Sequence, residues 1–422
     1  ANLGSNAVPT FQWDTIAKNG NQLNEEQSKI FKLYGVALVK GVVDREQIDK
    51  WYQELVAFLE ENKDHTGYSA NNKASFFNVF WTKPQTEARF HPNIIKLFNS
   101  FSKQFYVEDE SKSYLDLDTQ VVYGDRVRIR PPGGASLLNL HLDSSSIERW
   151  EDKNYREVYR KIFDGNWEEW DPWRLDEKQF AQEDLYHYLG DNRYKNSICS
   201  TFRTLQGWLA LSDNKTGEGT LRVYPNVKLA AAYIMLRPFF WEDPALGDIN
   251  DYKIDLETPK FPGVTPSTGQ IFVDKLFPHL RQLEAVVGIP DVHKGDFVFW
   301  HADLPHEVDK SHNGTGVSSV FYYAAAPLAP GNIGTLLDTR HSWRKNISPK
   351  DYVSHLTADL VENQGVDDAN LKNDDSKRSM GLLPFEINDS LSESQKRIRE
   401  LANKALEENS FDHSQFLELI HI

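Results

Sequence analysis

A histidine and an aspartate two residues apart, His141 and Asp143, stand in the segment NLHLDSSS (139–146). Residues i and i+2 of a β-strand point to the same side, so this pair can bind one metal ion from a strand end. A two-histidine, one-carboxylate site for Fe(II) needs one more histidine on the same face and leaves other positions open for small molecules. The spacing alone decides little, because the chain has 13 histidines and a second His-x-Asp at His301 and Asp303.

The third ligand has to come from a distant part of the chain. The segment GDFVFWHADLPHEV (295–308) reads as a buried strand followed by a Pro-containing corner. His301 lies near the end of the strand and His306 follows the corner, and the spacing leaves both open as the third ligand.

The segments that carry these residues belong to a β-rich stretch that begins near residue 120. Its candidate strands are bounded by Gly, Pro, Asn or Asp: QVVYGDRVRIR, LQGWLALSD, GTLRVYP, GDFVFWHADLPHEV and GVSSVFYYAAAPL. Because no βαβ alternation separates them, the pattern predicts an antiparallel arrangement. The predicted fold class is α+β with a mainly β core, built as a double-sheet jelly roll, that is, a double-stranded β-helix of the cupin type.

Helical patterns flank this core on both sides. Capping-box spacings begin helices at Asn24, Asp44 and Ser392, and Asn332 and Ser348 are further candidate helix starts. Before the core, VALVKGVV reads as a short buried strand and PNIIKLFNSFSKQF as a helix with proline in its first turn. We predict one domain over residues 1–422. It has a helical N-terminal region (1–118), a jelly-roll core (119–330) and a helical C-terminal region (331–422).

A long aromatic-rich insertion, residues 147–200, interrupts the core directly after the His-x-Asp pair. It carries four tryptophans: Trp150, Trp167, Trp170 and Trp173. A segment of this length beside a metal site is a natural lid or substrate wall. The equally weighted alternative is a helical outwork with a small core of its own. The polar stretch ENQGVDDANLKNDDSKRS (362–379) is the only linker-like segment.

Charge and cysteine content exclude several classes of protein. The chain has 47 basic and 62 acidic residues, for a net charge of -15. Sequence-independent binding to nucleic acid or to an anionic membrane requires the opposite sign, so we expect neither partner. The single cysteine, Cys199, excludes an internal disulfide and a Cys-rich zinc site. With no signal-peptide pattern or membrane-spanning apolar run, we expect a cytoplasmic protein.

Three segments resemble motifs of the phytanoyl-CoA-hydroxylase-like branch of the iron(II)/2-oxoglutarate dioxygenases. RIRPPGG followed by LHLD resembles the region of the first ligands, GWLALSDNKTGEGTLRVYP the next strand pair, and GDFVFWHADLPHEV the strand and corner of the distal histidine. The match runs from about residue 121 to 330 and is closest to a bacterial and fungal family described only as a domain of unknown function. The resemblance implies that His141, Asp143 and His306 are the metal ligands and catalytic residues. It favours His306 over His301 because the family's ligand follows the LP corner.

The chain departs from that branch at the site of the keto acid. The branch usually anchors the far carboxylate of 2-oxoglutarate with an arginine after the distal histidine, but EVDKSHNGTGVSSVFYY contains none. A buried dicarboxylate still needs a cationic, preferably bidentate, partner. The candidate co-substrate-binding residues are Arg130, Arg203 and Ser319, with Arg340 a further arginine to consider. Arg126, Arg128 and Arg130 share one face of their strand, so at most one or two of them reach the pocket.

The resemblance implies an oxygenase that uses Fe(II), 2-oxoglutarate and O2 to hydroxylate a small organic substrate. Two alternatives remain: a cupin-like isomerase or hydrolase that uses the same ligands without a keto acid, and a non-catalytic barrel that only binds. A relative that repairs nucleic acids is disfavoured by the net charge and the lack of a basic stripe.

Overall fold

The computed structural model of the chain describes residues 3–63, 65, 75–185, 199–242, 252–266, 268–352 and 362–420. The strands in these ranges are β1 Thr10–Gln12, β2 Val36–Lys40, β3 Phe76–Phe77, β4 Asp116–Gln120, β5 Val127–Arg130, β6 Leu140–Leu142, β7 Leu205–Ala210, β8 Leu221–Val223, β9 Phe240–Glu242, β10 Tyr252–Ile254, β11 Gln270–Phe272, β12 Val287–Gly288, β13 Phe297–His301, β14 His306–Val308, β15 Ser318–Tyr322 and β16 Pro327–Leu328. The α-helices are α1 Trp13–Lys18, α2 Glu25–Tyr34, α3 Arg45–Glu61, α4 Lys83–Arg89, α5 Pro92–Ser102, α6 Glu148–Glu151, α7 Lys153–Val158, α8 Arg160–Phe163, α9 Val227–Leu236, α10 Gln282–Ala285, α11 Pro330–Lys345, α12 Asp374–Ser379, α13 Glu393–Glu408 and α14 His413–Leu419.

Two larger sheets position the candidate ligands. One has seven strands in the order β1-β2-β13-β7-β15-β5-β3, and the other has five in the order β11-β6-β14-β8-β12. Their pairs are antiparallel, as predicted, except for the parallel pair β1–β2 near the N-terminus. Two short pairs, β10–β9 and β16–β4, lie outside these sheets. The chain therefore combines helices with antiparallel sheets, which agrees with the predicted mixture of the two.

The seven-stranded sheet buries both of its faces. Side chains of one face, among them Trp208, Val298 and Val320, belong to the same apolar cluster as Val223 of the five-stranded sheet. Alternate residues of the same strands point the other way, as the two-residue period of a strand requires. They pack against the N-terminal helices: Leu209, Phe299 and Phe321 with Ile48, Trp51, Leu97 and Phe101.

Most of the predicted helix starts in the N-terminal region are confirmed. Asn24 and Gln27 form a reciprocal capping box at the start of α2. Helix α3 follows Asp44 and buries the predicted apolar face, although the Asp44 side chain makes no capping hydrogen bond. Helix α5 begins with Pro92, since its fixed φ suits a first turn that needs no N–H donor.

The C-terminal region differs from the prediction at one helix start. Ser392 and Gln395 form the predicted capping box of α13. Asn332, however, is not a cap, because α11 already begins at Pro330. Its buried amide instead donates to the carbonyls of Phe202 and Pro327 and ties the helix to the sheet region. Directly after Ser348, the chain forms the 3-10 turn Lys350–Tyr352, and the rest of the helix predicted there, residues 353–361, lies outside the described residues.

The described part of the insertion shares the main core. Its short helices α6, α7 and α8 contribute Trp150, Tyr155 and Ile162, and the residue between α7 and α8 contributes Tyr159, to the same apolar cluster as Trp208 and Val223. An outwork with a separate core is therefore wrong for this part. Residues 186–198 of the insertion lie outside the described residues. The linker-like stretch is also packed: Gln364 is buried and accepts a hydrogen bond from the Phe80 amide.

Across the described ranges, no helix has both the length and the apolar character needed to cross a membrane.

Candidate metal centre

The structure brings His141, Asp143 and His306 together on two neighbouring inner strands of the five-stranded sheet. His306 on β14 lies directly opposite His141 on β6 in the antiparallel register, and Asp143 follows β6 immediately. One ligand atom of each residue lies within 4.8 Å of the others. The pairing of β6 with β14 therefore closes the 163-residue sequence gap between Asp143 and His306.

The Asp143 carboxylate lies between the two imidazole rings. His141 Nε2 is 3.2 Å from Asp143 Oδ1, and His306 Nε2 is 3.1 Å from Asp143 Oδ2. The ring centroids are 4.4 Å apart. Both histidines are buried, whereas the Asp143 side chain is 39% exposed. The cluster can therefore be reached from the side of its carboxylate.

The hydrogen bond made by Nδ1 of each ring leaves Nε2 as the nitrogen that can bind a metal. His141 Nδ1 is 2.8 Å from the carbonyl oxygen of Asn139, and His306 Nδ1 is 3.0 Å from that of Leu304. A carbonyl only accepts, so each Nδ1 carries the proton and each neutral ring presents a lone pair at Nε2. Both lone pairs face a carboxylate, which is unfavourable unless a cation or an added proton lies between them. The donor set, two imidazoles and one carboxylate, therefore fits a divalent transition metal.

The pKa directions of the three groups follow from their close contact with one another. Burial would raise the pKa of Asp143, but the two histidines outweigh it and hold that pKa well below its usual range. Burial acts in the opposite direction on His141, yet the Asp143 carboxylate more than compensates and raises the histidine's pKa. For His306, burial and the neighbouring His141 lower the pKa. Asp143 is thus ionised and His306 favours the neutral form that a metal requires.

A glutamine and a tryptophan hold the carboxylate in place. Gln206 Nε2 donates to Asp143 Oδ2 at 2.5 Å, and Trp300 Nε1 donates to Gln206 Oε1 at 3.0 Å. The Trp300 indole therefore determines which way the amide points, with its donor toward the aspartate. The sequence analysis did not single out Gln206. Its position at the start of a fully buried strand, β7, was the available signal.

The other His-x-Asp pair has a structural role. The His301 ring packs between Phe105 and Trp173, and its Nε2 lies 3.0 Å from the Pro172 carbonyl oxygen. Asp303 forms a buried ion pair with Arg149 at 2.9 Å. His301 points away from His141 because it shares the face of Phe299, which packs against the N-terminal helices.

The candidate co-substrate-binding residues lie in different parts of the structure. Arg130 is buried, but its guanidinium donates to the carbonyls of Gly134, Asp309 and Lys310 and so clamps two loops. Gly134 leaves room for that clamp, since a Cβ there would lie 3.0 Å from Arg130 Cγ. Arg203 lies beside the candidate ligands, where its Nη2 donates to the hydroxyl of Ser144, the neighbour of Asp143, at 2.7 Å.

Two other candidates point away from the cluster. Ser319 alternates with Val320, so its side chain shares the face of Phe321, toward the N-terminal helices. The expectation that Ser319 contacts the co-substrate is therefore at odds with the register of β15. Arg340 binds the Leu406 carbonyl and the Asn409 side chain at the end of α13, far from the sheets' shared core.

A different arginine occupies the inner face. Arg128 lies opposite Val320 in the register of β5 and β15, and the Val320 side chain lies in the core between the sheets. Arg128 is 3% exposed. Its Nη2 donates to the Ser318 hydroxyl at 3.2 Å, and its Nε has no hydrogen-bond partner among the described residues. That neutral hydroxyl does not balance its charge. The alternation in RVRIR placed Arg128 and Arg130 on one face, but the pattern did not show which of the two is engaged by loops.

Comparison with known proteins places the chain in a family. It is 31% identical over 360 residues to the uncharacterized protein YbiU of Escherichia coli K12, covering 83% of this chain and 80% of that protein. The crystal structure of hypothetical protein JW0805 from Escherichia coli has a TM-score of 0.73 and 29% identity, covering 89% of this chain and 86% of that chain. The crystal structure of GlcNAc Inducible Gene 2, GIG2 (DUF1479), from Candida albicans has a TM-score of 0.89 and 53% identity, covering 100% of this chain and 89% of that one. The family model described as Gig2-like matches residues 1–382, and the chain therefore belongs to the Gig2-like family.

Proposed function

We propose that this protein is an oxygenase that depends on Fe(II) and 2-oxoglutarate and hydroxylates a small organic substrate. We also propose that the two larger sheets form the two walls of a double-stranded β-helix. In its support, the chain changes sheets between most consecutive strands from β5 to β15, although β11 and β12 both belong to the five-stranded sheet. β5, β7, β13 and β15 belong to the seven-stranded sheet, and β6, β8 and β14 to the five-stranded one. Such crossing is what a double-sheet jelly roll requires.

His141, Asp143 and His306 would hold the metal. The observation that carries the proposal is the pair of Nε2 lone pairs that face one carboxylate, with both Nδ1 atoms occupied by backbone carbonyls. When bound, iron with a keto acid supplies the activation of O2, and the protein supplies orientation and exclusion of water. Three protein ligands leave positions for the co-substrate and O2.

Arg128 would bind the far carboxylate of 2-oxoglutarate. Its guanidinium belongs to the inner face of the seven-stranded sheet, and the adjacent Ser318 supplies a hydroxyl for the same group. A guanidinium with donors to spare is suited to bidentate contact with a carboxylate. Arg128 on β5 would thus replace the arginine that β15 lacks. This replacement weakens the case for a cupin-like enzyme without a keto acid, because the missing arginine was its main support.

The layers along β7 support this arrangement. The inner face of β7 carries every second residue: Gln206, Trp208 and Ala210. Gln206 donates a hydrogen bond to Asp143. Ala210 lies opposite Val320, which in turn lies opposite Arg128. Arg128 therefore belongs to a deeper layer than the metal ligands. A molecule that spans from the metal to Arg128 would pass Trp208, whose ring belongs to the core between the sheets.

Conversion of 2-oxoglutarate to succinate tests the proposal. We expect the iron-loaded protein to release succinate slowly even without its substrate, and we expect His141→Ala to abolish that release. A Ser319→Ala variant is the matched control, because this hydroxyl lies on the opposite face of the sheet. Absence of succinate from protein that holds one iron per chain, or equal release by His141→Ala, would refute the oxygenase.

A further inference from the structure

A cavity of about 300 Å³ lies outside the sheets' shared core, between α5, the segment 118–123 and the C-terminal helices α12 and α13. Aromatic and aliphatic side chains form much of its wall, including Phe90, Ile94, Phe98, Val121 and Phe385. Its volume is at the lower end of the range of small-molecule pockets, about 300–1,000 Å³.

The cavity is separate from the candidate metal centre. Phe98 belongs to the cluster that covers the outer face of the seven-stranded sheet, and Tyr323, which also lines the cavity, belongs to the same cluster. The metal ligands lie on the other side of that sheet, beside the core that contains Trp300 and Val320. The sheet therefore stands between the two sites.

Two of the three arginines that line the cavity are already neutralised. Arg399 Nη2 is 2.7 Å from Asp116 Oδ2. Arg378 is 2.9 Å from Asp375 and also pairs with Glu386. These carboxylates hold both guanidinium groups at the wall, so neither needs an additional anion.

Arg89 is the exception. Its guanidinium lies over the ring of Tyr323 at 4.9 Å and near that of Trp81 at 6.0 Å, and its one hydrogen bond in the described part of the chain is a 3.4 Å contact with the Tyr123 carbonyl. Asp125 acts on it through space, without a hydrogen bond. Arg89 is half-buried at the cavity wall, and desolvation lowers its pKa. Such a charge is strongly stabilised by an anion that brings its own hydrogen bonds.

We propose that this cavity binds a small organic acid with an apolar body. The carboxylate would accept two parallel hydrogen bonds from Arg89, the geometry that a guanidinium favours. The apolar body would pack on the aromatic and aliphatic walls. The site is a second ligand site, on the opposite side of the sheet from the metal centre.

Binding of matched ligand pairs to the full chain tests the site. The probes are octanoate and benzoate, each against its amide, octanamide and benzamide, which keep the shape and remove the charge. We expect each acid to bind at least about tenfold more tightly than its amide by titration calorimetry, because the charge-assisted contacts are lost in the amide. Arg89→Gln should abolish the preference for the acid and Arg89→Lys should retain part of it.

Two further variants test whether the acids bind in this cavity or at the metal centre. Asn99 lines the cavity on the partly exposed side of α5, so Asn99→Trp should block binding while Arg89 remains. His141→Ala should leave binding unchanged, since the metal centre lies across the sheet. The proposal is overturned if neither acid binds, if acid and amide bind equally, or if Arg89→Gln binds the acids as well as the unaltered chain. It is equally overturned if His141→Ala abolishes binding.

Discussion

The indole N–H of Trp300 donates to the side-chain oxygen of Gln206, its direct neighbour in the register of β13 and β7. This contact leaves the amide N–H of Gln206 to donate to Asp143, so Gln206 fixes the position of a candidate ligand. Partners of this kind commonly change metal affinity by about 10–100-fold when they are removed.

Gln206→Leu should therefore weaken binding of Fe(II), or of Co(II) as an air-stable probe, by about 10–100-fold. Trp300→Phe removes only the N–H that orients the amide and should have a smaller effect in the same direction. Competition with a chelator of known affinity measures both. Unaltered metal affinity in Gln206→Leu would show that the glutamine does not position the carboxylate.

Arg128→Gln should raise the concentration of 2-oxoglutarate needed for half-maximal succinate release by about 100-fold or more, since a charge-assisted bidentate contact is lost. Metal affinity should stay the same, because Arg128 contacts none of the three ligands. Ser318→Ala should show a milder loss and Ser319→Ala none, as the two hydroxyls lie on opposite faces of β15. If Ser318→Ala and Ser319→Ala changed the required concentration of 2-oxoglutarate equally, the assignment of the two hydroxyls to opposite faces of β15 would be contradicted.

Asp303→Ala should destabilise the protein by about 3–5 kcal/mol, because removal of one partner leaves a buried charge uncompensated. Asp303 lies 2.9 Å from Arg149 and 3.6 Å from Lys178, and all three side chains are buried. Denaturant unfolding followed by fluorescence measures the loss. Glu169→Ala, which removes one partner of the exposed ion pair with Lys161, is the comparison. A loss of stability below about 1 kcal/mol would show that the ion pair of Asp303 contributes no more than an exposed ion pair does.

The buried carboxyl of Glu148 should make the stability of the protein depend on pH. Burial raises the pKa of this carboxyl to about 7, and its Oε2 accepts the Ser146 amide hydrogen. The folded state therefore keeps the proton to a higher pH than the unfolded state, whose pKa is about 4.5. Stability from this group is complete below pH 4.5 and is lost as the pH rises toward 7.

Glu148→Gln keeps the acceptor oxygen and removes the ionisation. We expect the variant to be more stable than the unaltered chain at pH 8, by up to about 3 kcal/mol. The difference should shrink as the pH falls and vanish near pH 4.5. Melting temperatures of the two proteins across this range provide the measurement. A difference that is independent of pH would show that Glu148 does not titrate in this window.

The strand and corner positions of the three candidate ligands could be predicted from local patterns. His141 and Asp143 share a strand end because strand residues alternate, and His306 follows a corner that proline marks. The partner of each strand depends on long-range pairing, which no local pattern contains. Only the pairing of β6 with β14 shows that His306 and His141 are directly opposite.

The co-substrate residues were harder to predict for two reasons. A shift of one residue moves a strand side chain to the other face, and this separates Ser318 from Ser319. Arg128 and Arg130 share a face, and only the carbonyls of distant loops show that Arg130 is already engaged. The cavity at Arg89 was invisible to sequence analysis because its walls combine α5 with helices more than 270 residues later in the chain.

Anaerobic optical titration of the iron(II)-loaded protein with 2-oxoglutarate tests the central claim most directly. We expect a visible charge-transfer band that saturates with the keto acid, that is absent in His141→Ala and Asp143→Ala, and that requires more 2-oxoglutarate in Arg128→Gln. No band from protein that holds one iron per chain would contradict the assignment of this site to a 2-oxoglutarate-dependent oxygenase.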